Sequence, residues 1–289
     1  MKLVSFTCRG RAAIGKVIGD DVIDLPASDP GLPATMLELL QGGPALLERA
    51  RGLSAGASFP LADVDIQAPI PNPSKYLAIG LNYRKHVEEA VRLGIKAPET
   101  QLWFNKQVSC VHPPFAPVHL PRVSDKLDYE AELGVVIGRR CRHVSAEQAR
   151  TVIAGYLVCN DLSVRDWQSR SQTMTLGKSF NTHGPIGPWI VTDEDVPDPH
   201  ALRLRTLVNG EVRQDSNTAD MLFDIYQQIA HLSTVMTLEP GDVLATGTPS
   251  GVGVGMVPPV FLKAGDVVRV EVEGIGHIEN TVIPEPPAM

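Results

Sequence analysis

Two carboxylates, Glu130 and Glu132, stand two residues apart in LDYEAELGVVIG. Side chains alternate along a strand, so residues two apart project from one face. The apolar run from Leu133 to Ile137 pulls this strand toward a core, where like charges repel and an unpaired charge is costly. A divalent cation would relieve both problems. Asp161 follows the apolar run from Tyr156 to Cys159 at a similar strand end and would add a third oxygen. Three carboxylates without cysteine or histidine select a hard ion: Mg²⁺, Mn²⁺ or Ca²⁺. The same residues also describe the solvated face of an edge strand, and spacing alone does not choose.

His86 and Glu89 lie three apart in NYRKHVEEAVRLG, on one face of a predicted helix. A glutamate beside a histidine orients the imidazole and raises its basicity, the arrangement of a general base. It is equally the arrangement of two surface neighbours. Lys178, between Gly177 and an aromatic in LGKSFNTHGP, would suit an oxyanion or carboxylate if desolvated, though an isolated lysine is commonly solvated. Arg165, Asp166 and Gln168 in NDLSVRDWQ would bind substrate or form a structural salt bridge, the plainer reading. GTPSGVGVG lacks the Gly-Lys-Ser/Thr of a phosphate loop, and Ser250 is not in a GxSxG elbow. Its uses are a close backbone approach to ligand, with the Thr248 hydroxyl on offer, or a tight turn. No serine or cysteine triad emerges.

The elements that must position these residues are mostly strands. MKLVSF, AAIGKVI and DDVIDL predict a meander, and TMLELL and PALLERAR two helices, making residues 1–68 a small N-terminal α+β domain. The three prolines of APIPNPSK predict a linker into a catalytic domain over 69–289. There YLAIGL, LDYEAELGVVIG and AGYLVCNDLS predict strands, with Ser145 capping a helix over SAEQARTVI. LRLRTLVNGEVRQ predicts a hairpin on its Asn-Gly turn, and DMLFDIYQQIAHLSTVM a long amphipathic helix. GDVLATGTPSGVGVG and DVVRVEVEGIGHIENTVI predict closing strands. The strand–helix rhythm of a Rossmann fold is missing, and the expected class is β-rich α+β.

Bulk properties narrow the partners. A chain of 289 residues can bury roughly 75% of its unfolded surface. Its 25 glycines and 24 prolines exceed the usual combined share of about 12%, in keeping with many turns. A net charge of −7 argues against nucleic acid or an anionic membrane as partner. Cys8, Cys110, Cys141 and Cys159 form no CxxC pair, which excludes a zinc ribbon or disulfide framework. The N-terminus lacks the apolar core of a signal peptide, and no apolar stretch reaches 18 residues. A cytoplasmic protein is expected.

Taken in order, YLAIGLNYRKHVEEA, DYEAELGVVIG, GYLVCNDLSVRDWQ, GKSFNTHGPIGPWI, LEPGDVLATGTPSGVG and FLKAGDVVRVEVEGIG resemble the fumarylacetoacetate hydrolase family, in its shorter bacterial and mitochondrial form. The resemblance covers about residues 75 to 280 and implies a mixed β-sandwich roll, a homodimer, and bound Mg²⁺ or Mn²⁺. It assigns Glu130, Glu132 and Asp161 as metal ligands, and His86 with Glu89 as a water-activating dyad on a lid. It turns Lys178, Arg165, Gln168 and Thr248 toward substrate. Three departures stand out: Asn82 before the lid tyrosine where the animal enzyme has Asp, Gln107 after Lys106 where Pro is usual, and Asn181 where Asp is common. The last two are expected near the pocket and bear on substrate identity.

The implied chemistry is that of oxo acids. A 2-oxo or 2,4-dioxo acid can chelate an ion through its carboxylate and 2-keto oxygen, and the ion stabilises the enolate formed as a C–C bond breaks. With His86 and Glu89 activating water and Lys178 near the oxyanion, the expected function is hydrolysis of an acylpyruvate or fumarylpyruvate. Without activated water, the same enolate leads to oxaloacetate-type decarboxylation or to isomerisation of a hydroxymuconate or hydroxyheptadienedioate; fold does not choose. A non-catalytic oxo-acid binder would leave His86 and Glu89 without a use.

Overall fold

The computed structural model of the chain describes residues 1–287. Alternating apolar residues in the first 24 positions produce the expected meander. Lys2–Cys8, Arg11–Ile18 and Asp21–Asp24 pair antiparallel in sequence order. Lys2–Cys8 then pairs along its other edge with Gly184–Thr192. From there one sheet continues through Ile153–Asn160, Ala131–Ile137, Val243–Ala245 and Tyr76–Gly80 to Leu102–Lys106. Val243–Ala245 and Tyr76–Gly80 run parallel, so the sheet is mixed. The first strands of the chain are thus hydrogen-bonded into the sheet that carries the carboxylates.

A second sheet of five strands orders Glu211–Asn217, Arg203–Val208, Val267–Val272, Gly276–Pro284 and Val118–Leu120. Its first hairpin turns at Asn209 and Gly210, both at positive φ (+53° and +81°), as the Asn-Gly signal predicts. Leu133, Val135, Tyr156 and Val158 of the large sheet pack against Leu204, Val270 and Ile278 of the small one. Helix Ile225–Val235 adds Ile225, Ile229 and Leu232 to this core. The other face of the large sheet offers Val136, Leu157 and Ile190 to Met36, Leu39 and Leu40 of the N-terminal helices. A strand covered on both faces needs an unbroken apolar run rather than alternation, which is what Leu133 to Ile137 provides. The class is the sheet-rich, mixed α+β expected. Among the described residues, no helix is long and apolar enough to cross a membrane.

Three elements differ from expectation. LDYEAELGVVIG is not one strand: Leu127–Asp128 pairs with Ser163–Val164 in a separate ribbon, and Ala131–Ile137 begins after a break at Tyr129 and Glu130. The predicted long helix starts late, at Ile225, because Asp224 and Gln227 form a reciprocal cap (Gln227 N to Asp224 Oδ1, 2.8 Å; Asp224 N to Gln227 Oε1, 3.0 Å). GDVLATGTPSGVGVG leaves the strand after Ala245, where Gly247 and Gly251 adopt φ of +103° and +100° and bend the chain into a loop.

Candidate active site

Strand register assembles the acids. Ala131–Ile137 lies between Ile153–Asn160 and Val243–Ala245, so it is a central strand and not an edge. Ala131 sits opposite Asn160, which sets Asp161 beside Glu130; the Asp161 N–H donates to the Glu130 carbonyl at 3.0 Å. Asn160 Oδ1 accepts from Glu130 N–H at 3.0 Å and holds the break in the strand. Glu130 and Glu132 are only 5% and 1% exposed, which excludes the solvated-face reading. Glu130, Glu132 and Asp161 each bring one oxygen within 4.8 Å of the others.

Three cations share this interior. Lys178 Nζ donates to Glu130 Oε2 (2.8 Å) and Asp161 Oδ2 (2.6 Å). Lys106 Nζ donates to Asp161 Oδ1 (2.6 Å) and to the Lys178 carbonyl. Arg165 joins Asp128 Oδ2 through Nε (2.8 Å), and through Nη1 joins Glu130 Oε1 (2.6 Å) and Gln168 Oε1 (3.0 Å). Burial would raise the Glu130 carboxyl, but Lys178 and Arg165 outweigh it and hold the group well below the usual range. Glu132 has no such partner. Gly247 N–H donates to it at 2.7 Å, yet burial, Asp161 and Glu130 push its carboxyl well above the usual range. Burial alone would depress the Lys106 ammonium; Asp161, Cys110 and Glu130 override this and raise it.

Of the acids Asp128, Glu130, Glu132 and Asp161, Glu132 is the one with no Lys or Arg partner. The all-carboxylate donor set fits a hard divalent ion in ligand type. Gly247 is required at its place: its φ is +103°, and a Cβ there would meet Asn82 Cβ at 2.7 Å.

His86 and Glu89 stand on helix Arg84–Arg92. His86 Nδ1 is 2.8 Å from Glu89 Oε2. The carboxylate accepts, so Nδ1 carries the proton and Nε2 keeps its lone pair. Glu89 Oε1 in turn accepts from Gly251 N–H at 3.1 Å, which docks the helix on the glycine loop. A Cβ on Gly255 would fall 2.3 Å from that same oxygen. Asn82 anchors the helix start: its Nδ2 donates to the Phe223 and Thr246 carbonyls and its Oδ1 accepts from Phe223 N–H. An aspartate could not make the two donations.

Between this helix and the acids lies a cavity of about 510 Å³, walled by His86, Glu89, Glu130, Arg165, Gln168, Lys178 and Thr248 together with apolar residues. Glu132 and Asp161 lie outside its wall. Thr248 Oγ1 accepts from Gln214 Nε2 at 2.8 Å. All nine candidate residues are thus brought to one region. Arg165 fulfils the salt-bridge reading and also faces the cavity. Gln107 and Asn181 do not line it, and both are exposed.

The sequence reading passed over Lys106, Asp128 and Gln214. Lys106 shares the strand face of Phe104, two residues earlier, and Asp128 extends the i, i+2 spacing of Glu130 and Glu132 back by one step. Both signals were present. Asp128 also accepts from Gly253 N–H (2.7 Å) and Val254 N–H (3.0 Å). Gln214 comes from the second sheet and has no local signature.

Comparison with known proteins agrees with this architecture. The chain is 43% identical over 269 residues to the mitochondrial oxaloacetate tautomerase of Homo sapiens, covering 92% of this chain and 85% of that one. The structure of 2-hydroxyhepta-2,4-diene-1,7-dioate isomerase from Mycobacterium marinum matches with a TM-score of 0.79 at 34% identity, covering 99% and 100% of the two chains. Maleylpyruvate hydrolase from Sphingobium sp. SYK-6, solved with manganese(II) and pyruvate, matches with a TM-score of 0.81 at 34% identity and the same coverage. The family model of the fumarylacetoacetate hydrolase C-terminal region matches residues 75–283. With most of its length inside that match, the chain belongs to the fumarylacetoacetate hydrolase family.

Proposed function

We propose that this chain is a divalent-metal-dependent enzyme that forms and protonates the enolate of a 2-oxo acid, with keto–enol tautomerisation as its reaction. The observation that carries the reading is the buried cluster of Glu130, Glu132 and Asp161, whose Glu130 lines the same cavity as an oriented His86–Glu89 pair. A divalent cation on these acids would supply Lewis acidity to the 2-oxo oxygen. Arg165 and Lys178 orient the carboxylate end of the substrate. His86 Nε2 takes a proton from C3, while Glu89 holds Nδ1–H and stabilises the imidazolium that results. The same nitrogen then gives the proton to the 2-oxygen of the enolate, completing the enol, and the reverse order takes enol to ketone. The 43% identity to a tautomerase supports this choice.

Hydrolytic C–C cleavage is the second reading. It places a water between His86 Nε2 and a distal carbonyl, and it is favoured by a cavity larger than a four-carbon acid needs and by the likeness to maleylpyruvate hydrolase. The deciding experiment incubates the protein with oxaloacetate and with acylpyruvates, with and without Mg²⁺ or Mn²⁺, following enol absorbance and free pyruvate. Tautomerisation alters the enol signal of oxaloacetate and releases no pyruvate. Metal-dependent pyruvate release from acylpyruvates would replace it with the hydrolase reading, and release from oxaloacetate with decarboxylation. Absence of any metal-dependent change would refute all three.

A further inference from the structure

We propose that Gln214 is a positioning residue that fixes the Thr248 hydroxyl as a hydrogen-bond donor toward the cavity, so that the ligand atom against Thr248 is an acceptor oxygen. The inference rests on the 2-oxo acid reading above and adds to it the polarity of one contact. Gln214 belongs to strand Glu211–Asn217 of the second sheet and is 1% exposed. A carboxamide can accept two hydrogen bonds and donate two, and here all four are made. Oε1 accepts from Ala131 N–H (2.9 Å) and from the Thr206 hydroxyl (2.7 Å). Nε2 donates to the Pro249 carbonyl and to Thr248 Oγ1, both at 2.8 Å. The partners fix which way the amide faces. Ala131 N–H can only donate and the Pro249 carbonyl can only accept, so the oxygen meets the first and the nitrogen the second. The other Nε2 proton is then committed to Thr248.

That proton settles the role of the hydroxyl. Thr248 Oγ1 already receives a hydrogen bond, and among the described residues its own proton has no acceptor. Thr248 is 4% exposed and walls the cavity, and a buried donor left unpaired is costly. A carboxylate or enolate oxygen in the cavity would take this proton; a ligand group offering only donors would leave it unpaired. Thr206 donates into the same amide from the opposite side, which polarises Gln214 and strengthens its N–H donors. The Ala131 N–H that Gln214 also holds lies in the chain between Glu130 and Glu132. One side chain of the second sheet thus sets Thr248 relative to the acids.

The test is a double-mutant cycle read by calorimetric titration of oxalate into the Mn²⁺-loaded protein, which needs no turnover. Thr248→Val should weaken oxalate about tenfold or more, as loss of a hydrogen bond to a charged group does, and Thr248→Ser should hold it within about twofold. Gln214→Met, close in volume but without hydrogen bonds, frees the hydroxyl to rotate and should weaken oxalate about three- to tenfold. In the Thr248→Val background the same change should cost less than about twofold. A Gln214→Met loss that persists in full in that background means that Gln214 merely holds the Ala131 strand, and it overturns the inference. Oxalate binding untouched by Thr248→Val overturns it as well. Should Gln214→Met not fold, Thr206→Val runs the same cycle: a loss that vanishes in Thr248→Val supports the inference, and an additive or absent loss overturns it. A wild type that binds Mn²⁺ but no oxalate removes the 2-oxo acid reading itself, and the inference with it.

Discussion

Glu132 is where charge, burial and function meet. Its carboxyl is raised by burial and by Asp161 and Glu130, so an arriving cation must displace whatever proton it holds. Ion affinity should therefore rise with pH, and titration in buffers of different ionisation enthalpy should detect proton release. A raised carboxyl also means that the unfolded chain gives up this proton at lower pH than the folded one. Without metal, stability from this group is thus lost as pH rises from the ordinary carboxylate range toward the folded value. Glu132→Gln removes that penalty: the metal-free variant should be more stable in urea by on the order of 1 kcal/mol at pH 7, while its ion affinity falls at least tenfold. His86→Ala should behave oppositely, keeping ion affinity but losing about 10²–10⁴ in kcat/KM. Glu130 with Glu132 and His86 with Glu89 were legible because their spacing is local, and Asp161 because it follows an apolar run. That Lys178 grips Glu130 and Asp161 was not, since residues 17 and 48 positions apart leave no periodic trace.

At the scale of elements, register and loop geometry do the positioning. The pairing of Ala131 with Asn160 brings Asp161 to Glu130, and it depends on a break in the strand that alternation did not announce. The glycines after Ala245 pointed to a tight turn or a close backbone approach, but not to where the strand ends or which of them take positive φ. Gly247→Ala should weaken both fold and ion binding, because it strains φ, strikes Asn82 and displaces the N–H that Glu132 accepts. A loss of roughly 1–3 kcal/mol, read by urea denaturation together with ion titration, is the expected outcome. The segment carrying Lys178 ends at His183, which is wholly buried, donates Nε2–H to the His119 carbonyl at 2.7 Å, and is pushed down to about 3 by burial. The unfolded chain takes up a proton at this histidine below about 6.5 and the folded chain does not. Stability should therefore fall as pH drops from about 6.5 toward 3, by up to ~1.4 kcal/mol per pH unit from this group. His183→Gln should flatten that part of the profile relative to wild type.

Over the whole molecule, helices cover one face of a large sheet and a second sheet covers the other, with the acids on or just beyond the ends of its central strands. The elements and their class were readable from local pattern. The pairing of Lys2–Cys8 with Gly184–Thr192 was not, since it joins residues nearly 190 positions apart. A site built on adjacent central strands of such a sheet ties ion binding to global stability. At an ion concentration 100-fold above Kd, binding adds about 2.7 kcal/mol, so chelation should lower Tm by about 5–10 °C. The most direct test of the site is water-proton relaxation of Mn²⁺ added to chelator-stripped protein and then titrated with oxalate, a planar mimic of a 2-oxo acid enolate. The account predicts one Mn²⁺ per chain, bound water displaced by oxalate, and loss of both signals in Glu130→Ala. Mn²⁺ binding that survives Glu130→Ala and Glu132→Gln unchanged, or bound water that oxalate leaves untouched, would contradict it.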